Sequence, residues 1–221
     1  WTRRGDVKVV KDTDNFRDLT ATYFDGAADS LYLTDQSLVL GYDDFCLSFW
    51  LKPIIVGDPQ GYREILNYGA YYVNGTFVIG DDYNSPPNIT FYIFDNNNWQ
   101  NISAKPDKLI DEIYNHIVLA RKNNVWRLLV NGKLIFEKTY VVNLTGNTVY
   151  LASTDSNSEN YKGNYFDLKL SRYTLDYWDP FIPPVITRWT TAQISVTEQI
   201  GTDVRRLFKS SWPYDGATYK V

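Results

Sequence analysis

Residues Arg121 to Phe136 read RKNNVWRLLVNGKLIF. Two turn signals, Asn123-Asn124 and Asn131-Gly132, bracket a six-residue apolar run that carries Trp126. Asn-Gly supplies the two positive-φ positions of a type I′ turn, so it predicts a tight hairpin and fixes its register. In an extended chain Trp126, Leu128 and Val130 point to one face, and Val125, Arg127 and Leu129 to the other. A tryptophan that shares a face with two aliphatic residues is expected to fill a core. Working outward, NHIVLAR (Asn115 to Arg121) precedes this run and KLIFEKTYV (Lys133 to Val141) follows it. Three consecutive antiparallel strands are predicted.

The same pattern extends along the chain. TATYFDGAADSLYLT (Thr20 to Thr34) reads as strand, Asp-Gly turn and strand. In DDFCLSFWLKP (Asp43 to Pro53), Phe45, Leu47, Phe49 and Leu51 alternate with Cys46, Ser48 and Trp50, and Lys52-Pro53 ends the run. EILNYGAYYVNGTFVIGDD (Glu64 to Asp82) predicts two strands, an Asn74-Gly75 turn and a third strand. NITFYIFDNNNWQNISA (Asn88 to Ala104) predicts a hairpin around Asn96-Asn97-Asn98. NTVYLAS (Asn147 to Ser153) and NYFDLKLSRY (Asn164 to Tyr173) add two more strands. Helical signals are confined to Lys105–Asn115 and Asp203–Trp212. Many short strands at even spacing predict an all-β antiparallel sandwich. Residues 1–19 are expected to form a lead-in arm, residues 20–184 the sandwich, and residues 185–221, after the stiff PFIPP stretch, a C-terminal extension.

Composition narrows the chemistry. The 221 residues carry a net charge of −4, and no basic cluster of the kind that phosphate binding requires, so nucleic acid is not expected as a partner. No apolar run is long enough to span a membrane as a helix. Cys46 is the one cysteine and reads as a small buried hydrophobe; it cannot build a disulfide or a thiolate zinc site by itself. His116 is the one histidine, so any Ser-His-Asp triad must use it, and no Gly-x-Ser-x-Gly elbow accompanies it. His116 is expected in a capping or packing role. The chain opens on Trp1 and contains no Met, so it is expected to be processed or part of a longer protein. Asn-x-Ser/Thr sequons stand at Asn74, Asn88, Asn101 and Asn143 and matter only if the chain is made in a secretory pathway.

Three ordered blocks carry a family likeness. YFDGAADSLYLTDQSLVLGYDDFCLSFWLKP, NHIVLARKNNVWRLLVNGKLI and GNYFDLKLSRYTLDYWDPFIPP resemble laminin-G-like, concanavalin A-like sandwich domains, and the last block is similar to the closing strand of the subset found in bacteriophage virion proteins. Asp167, Leu168, Leu170, Arg172, Tyr173, Phe181, Pro183 and Pro184 stand at matching places. The family's Trp-His-His is reduced here to Tyr114-Asn115-His116. The resemblance implies a jelly-roll sandwich, and a non-enzymatic structural or decoration module of a capsid, tail or fibre whose partners are other virion proteins or copies of itself. A lectin-like adhesion module at a cell surface, binding glycan outside a virion, is the alternative.

Site expectations follow. Glucanases of this fold set two Glu on one strand face, and no such run occurs here: Asp111 and Glu112 are adjacent, and Glu137 is alone in its strand. The superfamily's calcium sites imply Asp25 and Asp167 as candidate ligands of a structural calcium ion. Against this, each Asp would simply accept backbone N–H bonds at a turn or strand edge. The acidic loops Gly80–Asn84 and Ser153–Asn160 lack calcium-loop spacing. With 18 Tyr, 7 Trp and 11 Phe, the chain has more aromatic surface than its core needs. Tyr83, Trp99 and Tyr161 fall in predicted loops beside Asn84, Asn97, Asn98 and Asn160. They are candidates for stacking a sugar ring, or for anchoring a protein interface.

Overall fold

The computed structural model describes residues 1–12, 19–54, 63–81, 88–102, 109, 113–154, 161–172 and 178–180. They form fourteen strands: β1 Thr2–Arg4, β2 Lys8–Asp12, β3 Leu19–Asp25, β4 Ser30–Thr34, β5 Phe45–Pro53, β6 Arg63–Tyr68, β7 Thr76–Asp81, β8 Ile89–Asp95, β9 Asn98–Asn101, β10 Asn115–Lys122, β11 Val125–Val130, β12 Lys133–Thr139, β13 Thr148–Leu151 and β14 Lys162–Arg172. The first sheet has the order β1-β4-β13-β6-β7-β8-β9, and the second β12-β11-β10-β5-β14-β3-β2. One turn of 3₁₀ helix, Gln36–Leu38, is capped by Asp35, whose Oδ1 accepts the Ser37 N–H. Residues 1–10 and 21–184 make one compact unit. Residues 11–20 and 185–221 make a second, which lies mostly outside the described residues, as does the helical signal at 203–212.

The predicted register at the quoted stretch holds. Asn123 and Asn124 take φ 50° and 62°, and Asn131 and Gly132 take 51° and 76°, so both hairpins turn through left-handed residues. Trp126 is fully buried. Its ring meets Phe45 of the second sheet at 5.6 Å, and Phe77 and Phe91 of the first sheet at 6.2 and 5.5 Å. Its Nε1 donates to the Tyr140 carbonyl at 2.9 Å, which leaves no buried donor unmet.

Arg121, directly opposite Trp126 on β10, is also fully buried. Its Nη2 donates to the carbonyls of Gly41 and Asp43 at 2.8 and 2.6 Å, its Nε to Asp43 at 3.0 Å and its Nη1 to Val142 at 3.1 Å. The guanidinium also lies 5.2 Å from the Trp126 ring centre. Burial lowers its pKa to about 10, so it stays charged at neutral pH. One side chain thus ties two loops to β10.

Three features differ from the sequence pattern. β3 and β4 do not form an Asp-Gly hairpin; they lie in different sheets, and Asp25–Asp29 carries the chain between them. Residues 1–10 are not a free arm, because Thr2–Arg4 pairs with β4. Tyr71 and Tyr72 are not in a strand: Gly69 (φ 89°) and Tyr72 (φ 60°) turn the chain away from β6.

The outer face of the second sheet is closed over by side chains. Cys46, Val118, Ala120 and Leu129 form a buried apolar patch with Trp178 packed on it, and Arg127 lies 4.3 Å over the Trp178 ring. His116 is buried on the same face, 4.7 Å from Trp50. The packing role expected for it fits this position.

Truncating Trp126 to Ala is expected to destabilise the fold by about 3–5 kcal/mol in urea unfolding. A second prediction concerns His116, whose pKa falls from 6.5 to about 4, mainly through burial and secondarily through the Lys169 charge. Between those values the unfolded chain takes up a proton that the folded chain refuses. This contribution is therefore intact above about pH 6.5 and is lost as the pH falls towards 4, by about 3 kcal/mol. His116→Phe is expected to remove that part of the pH dependence.

Candidate functional site

Alternation decides which face of the first sheet carries chemistry. Phe77, Ile79, Phe91, Ile93, Val149 and Leu151 fill the core. Their neighbours Thr76, Val78, Tyr92, Phe94 and Tyr150 therefore face outward. At one end of this outer face four aromatic rings converge. Phe94 and Trp99 sit opposite each other across β8 and β9, with ring centres 5.0 Å apart. Tyr72 comes from the β6–β7 loop to lie 5.6 Å from Phe94 and 5.9 Å from Trp99, and Tyr71 lies 5.1 Å from Trp99.

Phe94 is buried beneath the others, whereas Tyr72 is 64% exposed. Tyr72 also holds φ 60°, a left-handed conformation that a bulky residue adopts at an energetic cost. The loop is braced on both sides. Asn97 N–H donates to Asn74 Oδ1 at 2.9 Å, and Thr145 Oγ1 donates to the Asn74 carbonyl at 2.7 Å. At Gly75 (φ 81°) a Cβ would come within 2.1 Å of the Asn143 carbonyl, so only glycine lets the two segments close. The β8–β9 turn places Asn96 and Asn97 at φ 52° and 59°, the type I′ geometry that Asn tolerates.

Of the aromatic candidates in the sequence, the structure brings Trp99 and Asn97 to this end and adds Tyr71 and Tyr72. Tyr161 is not a surface residue: its ring is completely buried, with Arg63 5.3 Å over it and Tyr165 at 6.2 Å. Its polar sequence neighbours made it look like a loop residue, but its ring turns inward. Tyr83 lies outside the described residues, as do Asp111 and Glu112. Asp81 of the acidic loop is buried in a two-point pair with Arg63, with Nη2 to Oδ2 at 2.7 Å and Nε to Oδ1 at 3.1 Å. Glu137 accepts from Arg127.

The candidate metal residues separate. Asp167 sits at a bulge in β14 with φ 53° and pairs with Lys169 at 2.7 Å. Asp25 instead converges with Asp6 and Asp29, each offering an oxygen within 4.8 Å of the others. Asp29, which the sequence reading missed, is the buried member. Its Oδ1 and Oδ2 accept the N–H groups of Asp6 at 2.7 Å and Asp25 at 3.1 Å. Burial, and then the charges of Asp25 and Asp6, push its carboxyl pKa up despite these bonds. Asp25 Oδ1 accepts the Ala27 N–H at 2.7 Å, as a turn aspartate would. Three carboxylates at this spacing match the donor preference of a hard divalent cation.

Like-charge repulsion within this group predicts that, in EDTA at neutral pH, Asp25→Asn is at least as stable as wild type in urea unfolding. The Asn Oδ1 still accepts the Ala27 N–H, while one negative charge leaves.

A family model described as the concanavalin A-like lectin/glucanases superfamily matches residues 25–177. No sequence among the curated proteins matches. Among solved structures, domain 4 of an extracellular arabinanase from Geobacillus stearothermophilus, in complex with arabinotriose, superposes with a TM-score of 0.55 at 14% identity over 76% of each chain. The CBM40 of the Ruminococcus gnavus IT-sialidase, bound to α2,3-sialyllactose, gives 0.56 at 11% over 70% of this chain and 91% of its own. The full-length tailspike protein 2 of Escherichia coli O157:H7 bacteriophage CAB120 gives 0.57 at 13% over 72% of this chain and 23% of its own. At such identities the likeness is one of fold. The two seven-stranded sheets and the match across residues 25–177 place this chain in the concanavalin A-like lectin/glucanase superfamily.

Proposed function

We propose that the chain is a carbohydrate-recognition module displayed on a virion, on its capsid, tail or fibre, and that it binds glycan at the Tyr71–Tyr72–Trp99 platform. The observation that carries this reading is an exposed tyrosine held in a left-handed turn over a tryptophan and a buried phenylalanine. Aromatic rings present a negative face that suits the C–H face of a sugar, and the neighbouring Asn74 and Asn97 amides supply polar groups at the edge. The braced loops preorganise the rings, so little ordering is left for binding to impose. The virion setting is supported by the closing-strand resemblance and by a phage tailspike among the structures of this fold. A lectin-like adhesion module outside a virion would use the same platform. A structural calcium ion at Asp6, Asp25 and Asp29 belongs to the same proposal; Ca²⁺ would raise the unfolding temperature of wild type and not of Asp25→Asn.

Val73, exposed beside Tyr72, favours a second reading in which this end of the sheet contacts protein, either another virion component or a second copy. A glycan-array screen of the folded protein, followed by calorimetric titration of the best hit, separates the two. The glycan reading expects at least one hit, with affinity reduced about tenfold or more in Tyr72→Ala and Trp99→Ala. No hit from a folded protein, with the same substitutions weakening self-association instead, overturns it.

A further inference from the structure

The outer face of the second sheet holds a contact that the aromatic platform does not use. Two registered rows of side chains cross it: Cys46, Ala120, Arg127 and Glu137 in one, and Ser48, Val118, Leu129 and Leu134 in the next. Cys46 and Ala120 are small, so the first row leaves room for a ring, and Val118, Leu129 and Leu134 supply an apolar wall beside it. Trp178 packs on this patch.

Trp178 reaches the patch from outside both sheets. β14 ends at Arg172, and residues 178–180 belong to no strand. Arg127 holds this strap at three points. Its guanidinium lies 4.3 Å over the Trp178 ring, and its Nη1 donates to the Trp178 carbonyl at 2.9 Å and to Asp179 Oδ1 at 3.2 Å. Lys122 Nζ lies 5.7 Å from the centre of the same ring. Glu137 Oε2 accepts from Arg127 Nε at 2.6 Å and keeps the guanidinium in place. Among the described residues, Trp178 and Asp179 make side-chain hydrogen bonds with Arg127 alone. The Asp179 side chain is 85% exposed. One ring on an apolar patch, and one planar cation that reads a carbonyl and a carboxylate, form the kind of contact that recognises a peptide segment.

We infer that this patch is a receptor for the Trp178–Asp179 strap in trans as well as in cis, and that copies of this chain link by exchanging straps. The partner is a second copy because the patch already fits this segment and every copy carries both halves. Exchange of an identical element adds no new contact; it needs only that each strap leave its own patch. Little resists that departure. No backbone ladder holds the strap, and the Arg127–Asp179 pair is open to solvent and weakened by salt. In dilute solution the tether favours the chain's own patch, because a short linker gives an effective concentration on the order of millimolar. Copies held close together reverse that preference. The inference stands apart from the glycan reading, since strap and platform lie on different sheets.

The test has two arms. In the first, wild type, Trp178→Ala and Arg127→Gln are refolded from urea at low and high protein concentration and sized by chromatography with light scattering. Wild type is expected to return as a monomer when dilute and as a dimer when concentrated, whereas both variants stay monomeric at either concentration. In the second, a labelled peptide of residues 174–184 is titrated by fluorescence anisotropy. Trp178→Ala, whose patch is open, is expected to bind it about tenfold or more tightly than wild type, whose own strap competes, and Arg127→Gln added to Trp178→Ala removes that gain. Urea unfolding of each variant separates lost contact from lost fold, and the wild-type and Arg127→Gln refolding arms stand even where Trp178→Ala does not fold. Absence of a dimer from concentrated wild type overturns the inference. So does a dimer that persists in Arg127→Gln, or a folded Trp178→Ala that ignores the peptide, and Trp178 then serves as packing only.

Discussion

Trp126 sets the geometry on which everything else depends. Its indole spans the gap between the sheets, touching Phe45 from one and Phe77 and Phe91 from the other, and its one polar atom is bonded to Tyr140. A ring of that size at the centre fixes how far apart the layers lie, and close-packed interiors do not tolerate gaps. Arg121 extends this constraint to the rim, because its four hydrogen bonds to three carbonyls hold the loops at Gly41–Asp43 and Val142 against β10. A buried cation bonded this fully anchors loops that have little apolar surface of their own.

With the interior filled from both sheets, strand alternation sends every second residue to an outer face, and the two outer faces differ. The second sheet covers its exposed side with Trp178 on a patch of small apolar residues, and with Trp50 packed by His116 and Phe166. The first sheet carries tyrosines, asparagines and threonines there, ending in the Tyr71–Tyr72–Trp99 group. An exposed group of aromatic rings edged by amides suits a ligand that is itself part apolar and part hydroxyl. The proposed aromatic platform lies at one end of this face.

The strand pattern, the Asn-Gly turn and the inward direction of Trp126 were legible in the sequence because each depends on residues close together in the chain. Trp99 and Asn97 were legible as loop-end residues for the same reason: the run of asparagines marks a tight turn. Tyr161 was misread because local polarity says nothing about a ring that turns in to meet Arg63 and Tyr165. The Asp25–Asp29 segment carries the same Asp-Gly signal as a hairpin, yet crosses between sheets, a choice made by which sheet edge each strand can join. Asp29 had no local signature at all. Its role comes from Asp6, 23 residues away.

The most direct test of this division between a filled interior and a recognising outer face is an NMR titration with the oligosaccharide that binds most tightly, following the indole N–H signals of the tryptophans. The account predicts that the Trp99 signal moves with the ligand while those of Trp126 and Trp178 stay in place. Movement at Trp178 with none at Trp99 would put recognition on the second sheet and contradict it.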